Sequence, residues 1–172
     1  MTVAAVPHDT APGQPAALTA HWAGLDDMTP ATLHALFMLR VSVFVVEQAC
    51  AYQEIDAADA IAEHLVLRAA DEEQGGAIAG CLRLLPPEGD GPDTPVRIGR
   101  IVVAPAWRGA RLGDRLMLEA IDRAGQRYPG HPLMLSAQAH LQRFYARHGF
   151  LPVSPVYDED GIAHVDMRRA AA

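Results

Sequence analysis

Arg108-Gly109-Ala110-Arg111-Leu112-Gly113 sets two arginines among small residues where the β-branched run Ile98 to Val103 gives way to helical spacing. A helix start exposes N–H groups with no internal partner and carries partial positive charge, so basic residues there are unfavourable unless an anion is present. Arg108, Arg111 and Arg115 nevertheless crowd it. Gly109 and Gly113 would let the backbone approach a phosphate while the arginines add charge-assisted hydrogen bonds. The alternative is a plain turn with solvated arginines. A second cluster is acidic: Glu47, Glu54, Asp56, Asp59 and Glu63 fall within seventeen residues, interleaved with Tyr52 and Ile55. Such a run is either a solvated face or the mouth of a site for a cationic substrate.

The elements that must position these groups follow from periodicity. Ala16 to Ala23 reads as a strand, and Thr29-Pro30 as an N-cap followed by proline at the first helical position of a helix running to about Val43. Leu33, Leu36, Phe37 and Arg40 share one face of it, with Arg40 ending that face at a polar pocket or at water. His64 to Ala70 and Ala77 to Leu85 read as strands joined by the turn Asp71 to Gly76. The strand Ile98 to Val103 joins them, and Ala104-Pro105 stops it. From Leu112 the apolar positions Leu116, Met117, Ala120, Ile121 and Ala124 mark a helix that ends near Tyr128, before Pro129-Gly130. A strand Leu133 to Ala137, a short helix through Tyr145 closed by Gly149, and strands at Phe150 to Tyr157 and Ala163 to Arg168 complete the pattern. The expected fold class is α/β, a mostly antiparallel mixed sheet with helices on both faces.

At 172 residues the chain fits one domain, read as residues 16–172 behind a loose tail of residues 1–15. With 50% hydrophobic and 20% charged residues it is an ordinary globular composition, and no apolar run is expected to span a bilayer. A net charge of -7 argues against a nucleic-acid partner. Cys50 and Cys81 make no disulfide framework, and the N-terminus lacks a secretory pattern, so a cytoplasmic protein is expected. The eight histidines include no pair at one-turn spacing and there is no CxxC, so no metal site is expected. A monomer and a homodimer fit equally.

Downstream of the phosphate turn lies Phe144-Tyr145-Ala146-Arg147-His148-Gly149-Phe150. Together the two motifs resemble the GNAT acyl-CoA N-acetyltransferases, whose cofactor motif reads [QR]-x-x-G-x-[GA] and whose later motif ends F-Y-x-x-x-G-F. Phe44-Val45-Val46-Glu47-Gln48-Ala49-Cys50-Ala51-Tyr52-Gln53-Glu54-Ile55-Asp56 and Val156-Tyr157-Asp158-Glu159-Asp160-Gly161-Ile162 are similar to the ElaA-type branch. Arg111 takes the first glycine position of the cofactor motif, and Ala51 and Ala163 replace prolines usual in that branch.

The resemblance implies a GNAT fold and direct transfer of acetyl from acetyl-CoA to a primary amine, a small amine or a lysine side chain, in a ternary complex without acyl-enzyme. The cosubstrate would lie along Ile101, Val102 and Val103, which splay from the strand carrying Gln138. Its diphosphate would sit on Arg108, Gly109, Ala110, Arg111, Leu112 and Gly113, with Phe144 alongside. Tyr145 would hydrogen-bond the sulfur and steady the leaving thiolate. An alkylamine near pKa ~10.4 is protonated at neutral pH, and presenting its free base costs about 4 to 5 kcal/mol unless the site takes the proton. Glu47 is the first choice for that base, or it orients the acceptor; Gln48, Glu54, Asp56 and His140 are the other acceptor-side residues. The rival reading is a non-catalytic acyl-CoA binding or sensing domain.

Overall fold

The computed structural model describes residues 18–69, 77–89 and 91–171. The expected tail and the turn Asp71 to Gly76 lie outside the described residues. One sheet organises the chain, from β1 (Leu18–Ala23), β2 (Glu63–Ala69), β3 (Ile78–Leu85), β4 (Val96–Val103), β5 (Leu133–Gln138), β6 (Leu151–Pro152), β7 (Tyr157–Glu159) and β8 (Ile162–Arg169). Its spatial order is β1-β2-β3-β4-β5-β8-β6, with β7 also paired to β8. Every pairing is antiparallel except β4 with β5. This is the mixed, mostly antiparallel α/β sheet that the periodicity implies.

A helix covers each face. α1 (Pro30–Val41) begins where the Thr29 hydroxyl accepts from the Thr32 N–H at 3.2 Å. It packs Leu36, with Val43 just beyond, on Val66, Ile78, Cys81 and Val102. α2 (Leu112–Arg127) packs Leu116, Met117, Ala120 and Ala124 on the opposite face against Leu65, Leu82, Ile98 and Leu135. Burying each large apolar side chain contributes roughly 1.5–3 kcal/mol, so two such cores hold the sheet from both sides. A short α3 (Gln142–Ala146) follows β5.

Two expectations are corrected. The helical path does not stop at Val43: after α1 it widens into a π-type turn over Ser42–Glu47, with Gln48 N–H donating to Val43 O at 3.1 Å and Cys50 N–H to Val45 O at 3.2 Å. The combined run Pro30–Glu47 has 18 residues and a mean hydropathy of 1.4, so by length and composition it meets the criterion for a membrane span that no segment was expected to meet. Here that run lays one face on the sheet through Leu36 and Val43, with Arg40 buried beside them, and leaves Met38 and Val46 exposed. The second correction concerns Phe150 to Tyr157, expected as one strand. Pro152 and Pro155 cannot donate to a ladder, and the segment breaks into β6 and β7 with a loop between.

Candidate active site

The sheet opens where β4 and β5 run side by side. Their parallel ladder holds only Val96 with Leu133 and Arg97 with Met134, and beyond that the strands part. The facing edges of Ile98 to Val103 and of Leu135 to Gln138 therefore carry backbone groups that no partner strand takes up on that side. A cleft of about 470 Å³ fills the gap, lined by Ile101 on β4, Gln138 on β5, Tyr145 on α3, and Gln48, Cys50 and Tyr52 on the chain after α1. The Gln138 side-chain amide donates to Gln48 Oε1 at 3.0 Å, so a residue expected beside the cosubstrate and one expected beside the acceptor meet. Tyr145 is buried, edge-on to Phe144 and Phe150. Burial pushes its phenol up to about 12, and its hydroxyl has no hydrogen-bond partner among the described residues. It is a hydrogen-bond donor facing a cleft.

The glycine–arginine turn lies outside the residues that line this cleft and connects to it through Gly113, which packs on Phe144 beside Tyr145. Gly109 lies in the left-handed region with φ 84°, in open space, and Arg111 holds φ 58° at the N-cap of α2. Arg111 thus adopts the backbone conformation a glycine would supply, at roughly 1–2 kcal/mol of steric cost. Among the described residues no side chain caps α2, so its first N–H groups keep their capacity for an anion. Arg115 does not join the turn: it donates to Leu18 O at 2.9 Å and lies 3.7 Å from Glu119. Arg108 pairs with Glu47 at 2.9 Å, both half-exposed, while Arg111 lies 3.4 Å from Asp114 in the first turn. Gly113 serves packing: a Cβ there would come within 3.2 Å of the Phe144 ring, beside Tyr145.

The acidic run turns inward. Arg40, 1% exposed, donates to Glu54 Oε1 at 2.7 Å and to both Asp59 oxygens at 2.7 and 3.0 Å. Arg83 grips Asp56 at 2.7 Å and Asp59 at 2.9 Å, and Arg100 reaches Glu54 at 2.9 Å and Asp56 at 3.1 Å. Arg100 gets there because β4 carries an extra residue opposite Cys81 to Arg83, and Arg100 occupies that bulge with φ 52°. Burial alone would raise the Asp59 carboxyl, but the hydrogen bonds from Arg40 and Arg83 outweigh it and hold it at about 2. Arg83 likewise holds Asp56 below its ordinary value. The mouth for a cation expected from Glu54 and Asp56 is therefore corrected to an internal ion cluster: Glu54 is buried, and Asp56 reaches the cleft wall already bound to two arginines.

The remaining expected site residues divide by place. Ile101, Gln138, Tyr145, Gln48 and Asp56 line the cleft. Val102 is buried against α1, and Val103 packs on the α2 side. Arg108, Gly109, Ala110 and Arg111 form the exposed turn, with Leu112 buried behind it. Glu47 stands with Arg108 rather than on the cleft wall, and His140 is exposed at the foot of α3. Among the described residues no group of three His, Cys, Asp or Glu side chains is placed to hold a metal.

A family model described as acetyltransferase (GNAT) domain matches residues 26–171. The chain belongs to the GNAT acetyltransferase family. This GNAT domain is 40% identical over 143 residues to protein ElaA of Escherichia coli (strain K12), covering 83% of this chain and 90% of that protein. Among solved structures, an acyl-CoA N-acyltransferase from Pseudomonas aeruginosa superposes with a TM-score of 0.79 at 43% identity, covering 90% of this chain and all of that one. Crystalline Escherichia coli ElaA gives 0.79 at 37% identity over 89% and 99% of the two chains. The GNAT fold and acyl transfer as a class of activity follow from these likenesses.

An acyl-CoA cosubstrate fits what this GNAT domain offers: two strand edges free for amide groups, an uncapped helix start, and arginines beside it. Sequence reasoning missed the cleft residues on β7, β8 and the turn between them, namely Glu159, Asp160, Ile162 and His164. It also missed Arg83 and Arg100, although a charge inside an apolar strand signals a buried pair. For His164 the signal was alternation: Val165 and Met167 are buried on the α2 side, which leaves His164 and Asp166 on the other face.

Proposed function

We propose that this chain transfers the acetyl group of acetyl-CoA directly to a primary amine, a small amine or a lysine side chain, in a ternary complex. One observation carries the reading: a buried tyrosine with an unengaged hydroxyl lies in the opening between two parted strands, and its ring neighbour Phe144 packs on Gly113 in the uncapped first turn of α2. Arg108, Arg111 and the α2 N–H groups are the residues to hold the diphosphate, and the edges of β4 and β5 the amide-bearing arm. The cosubstrate supplies the thioester carbonyl. Tyr145 keeps its proton throughout the neutral range, so its contribution is a hydrogen bond to negative charge developing in the cleft rather than full proton donation. Neither cysteine supports an acyl-enzyme: Cys81 is fully buried with its thiol pushed up to about 12, and Cys50 hydrogen-bonds Asp160 O at 3.6 Å.

The test is release of free CoA thiol against a panel of amines, which also separates a transferase from a sensor that binds without turnover. Tyr145→Phe is expected to lower turnover about 10- to 1000-fold with CoA affinity nearly unchanged. An unchanged rate would remove Tyr145 from the mechanism.

A further inference from the structure

We infer that the proton of the acceptor ammonium leaves to Nε2 of His164, which makes this strand histidine the general base; the inference rests on the transferase reading above. His164 lies on the cleft wall, on the face of β8 opposite the buried Val165 and Met167, with Gln138 of β5 as its register partner. Its side chain is 15% exposed. Nδ1 lies 2.8 Å from the carbonyl oxygen of Ile162. A carbonyl only accepts, so Nδ1 carries the hydrogen, and in the neutral ring Nε2 holds the free lone pair. Among the described residues nothing hydrogen-bonds Nε2.

The surroundings fix the ring. The ring stacks on Tyr157 with centroids 6.3 Å apart, and Tyr157 is itself anchored where its hydroxyl donates to Asp166 at 2.9 Å and meets Ser136. A Glu159 carboxylate oxygen lies 3.9 Å from Nδ1, close enough to stabilise an imidazolium. The carboxylates named from sequence are less suited: Glu47 is tied to Arg108 and does not line the cleft, while Glu54 is buried against Arg40 and Arg100, and Asp56 is engaged by Arg83 and Arg100. In the step, one N–H bond of R–NH3+ breaks, its electron pair stays on nitrogen as the nucleophilic lone pair, and the proton forms an N–H bond at Nε2. The resulting imidazolium returns that proton to water at the cleft mouth, and nothing is oxidised or reduced.

His164→Asn keeps a donor for the Ile162 carbonyl and removes the base. For a primary alkylamine, kcat/KM is expected to fall about 100- to 10,000-fold. For an alkoxyamine, whose nitrogen is unprotonated at neutral pH, the fall should be under about tenfold, because no proton needs removing before attack. Added imidazole should recover part of the alkylamine rate, and CoA affinity should not change. Independently of turnover, nitrogen NMR of the wild-type protein should find His164 as the Nδ1–H tautomer, which leaves Nε2 free to take the proton and can be checked even if the variant fails to fold. An Nε2–H tautomer, no loss, or equal losses for both acceptors would overturn the inference while leaving the transferase reading intact. A wild-type protein that acetylates no amine would remove both.

Discussion

Replacing Arg40 by methionine removes the centre of the buried ion cluster and measures what holds the loop that carries Glu54, Asp56 and Asp59. The guanidinium donates four hydrogen bonds, to Glu54 Oε1 at 2.7 Å, Glu54 O at 3.1 Å, and the two Asp59 oxygens at 2.7 and 3.0 Å. Without it Asp59 keeps Arg83 at 2.9 Å and Glu54 keeps Arg100 at 2.9 Å. Breaking a buried pair from one side costs about 3–5 kcal/mol, and the two surviving arginines place the expected loss near the low end, about 3 kcal/mol. Among the described residues Glu54 Oε2 is already buried without a hydrogen-bond partner, so the loop has little slack to absorb the change. Urea unfolding followed by circular dichroism reads the loss as a shift in midpoint at constant slope. Arg40→Met combined with Asp59→Asn should cost at least about 1 kcal/mol less than the sum of the single changes, since each removes the other's partner. A loss below about 1 kcal/mol, or simple additivity, would refute the reasoning. The same cluster sets an acid dependence: Asp59 is held at about 2 against an ordinary 3.8, so it contributes about 2 kcal/mol above pH 4. That contribution disappears as pH falls through 2, and Asp59→Asn should flatten this part of the stability profile.

Two further outcomes are expected. Glu47→Gln releases Arg108 from an exposed ion pair worth at most about 1 kcal/mol, so CoA affinity measured by calorimetry should stay level or rise up to about fivefold; a clear fall would place Glu47 in cosubstrate binding. Gly113→Ala pushes a methyl against the Phe144 ring and should destabilise the fold by about 1–3 kcal/mol, an effect that Phe144→Leu in the same chain should relieve if the clash is the cause.

What sequence could and could not reveal follows the reach of each interaction. The helix from Leu112 and the strand before it were legible because their apolar periods are local, and the turn between them because glycine and arginine are unusual at a helix start. Gly113 shows the limit: its place in the motif was evident, yet the ring that needs the space is Phe144, brought in by the fold. The acidic run misled for the same reason. Arg40, Arg83 and Arg100, which neutralise Glu54, Asp56 and Asp59, come from α1, β3 and β4, and no local pattern pairs them. Glu47 likewise finds its partner in Arg108 across the chain. A lone histidine in a strand carries no chemical signature, and His164 gains one only where its ring meets the Ile162 carbonyl and the parted strands.

Calorimetric titration with CoA and with pantetheine, which lacks the diphosphate, tests most directly whether the α2 start and the parted strands form one cosubstrate site. CoA should bind saturably, and Arg108→Ala should weaken it by about 1–3 kcal/mol while leaving pantetheine binding unchanged. Equal losses for both ligands, or no saturable binding of CoA to the wild-type protein, would contradict it.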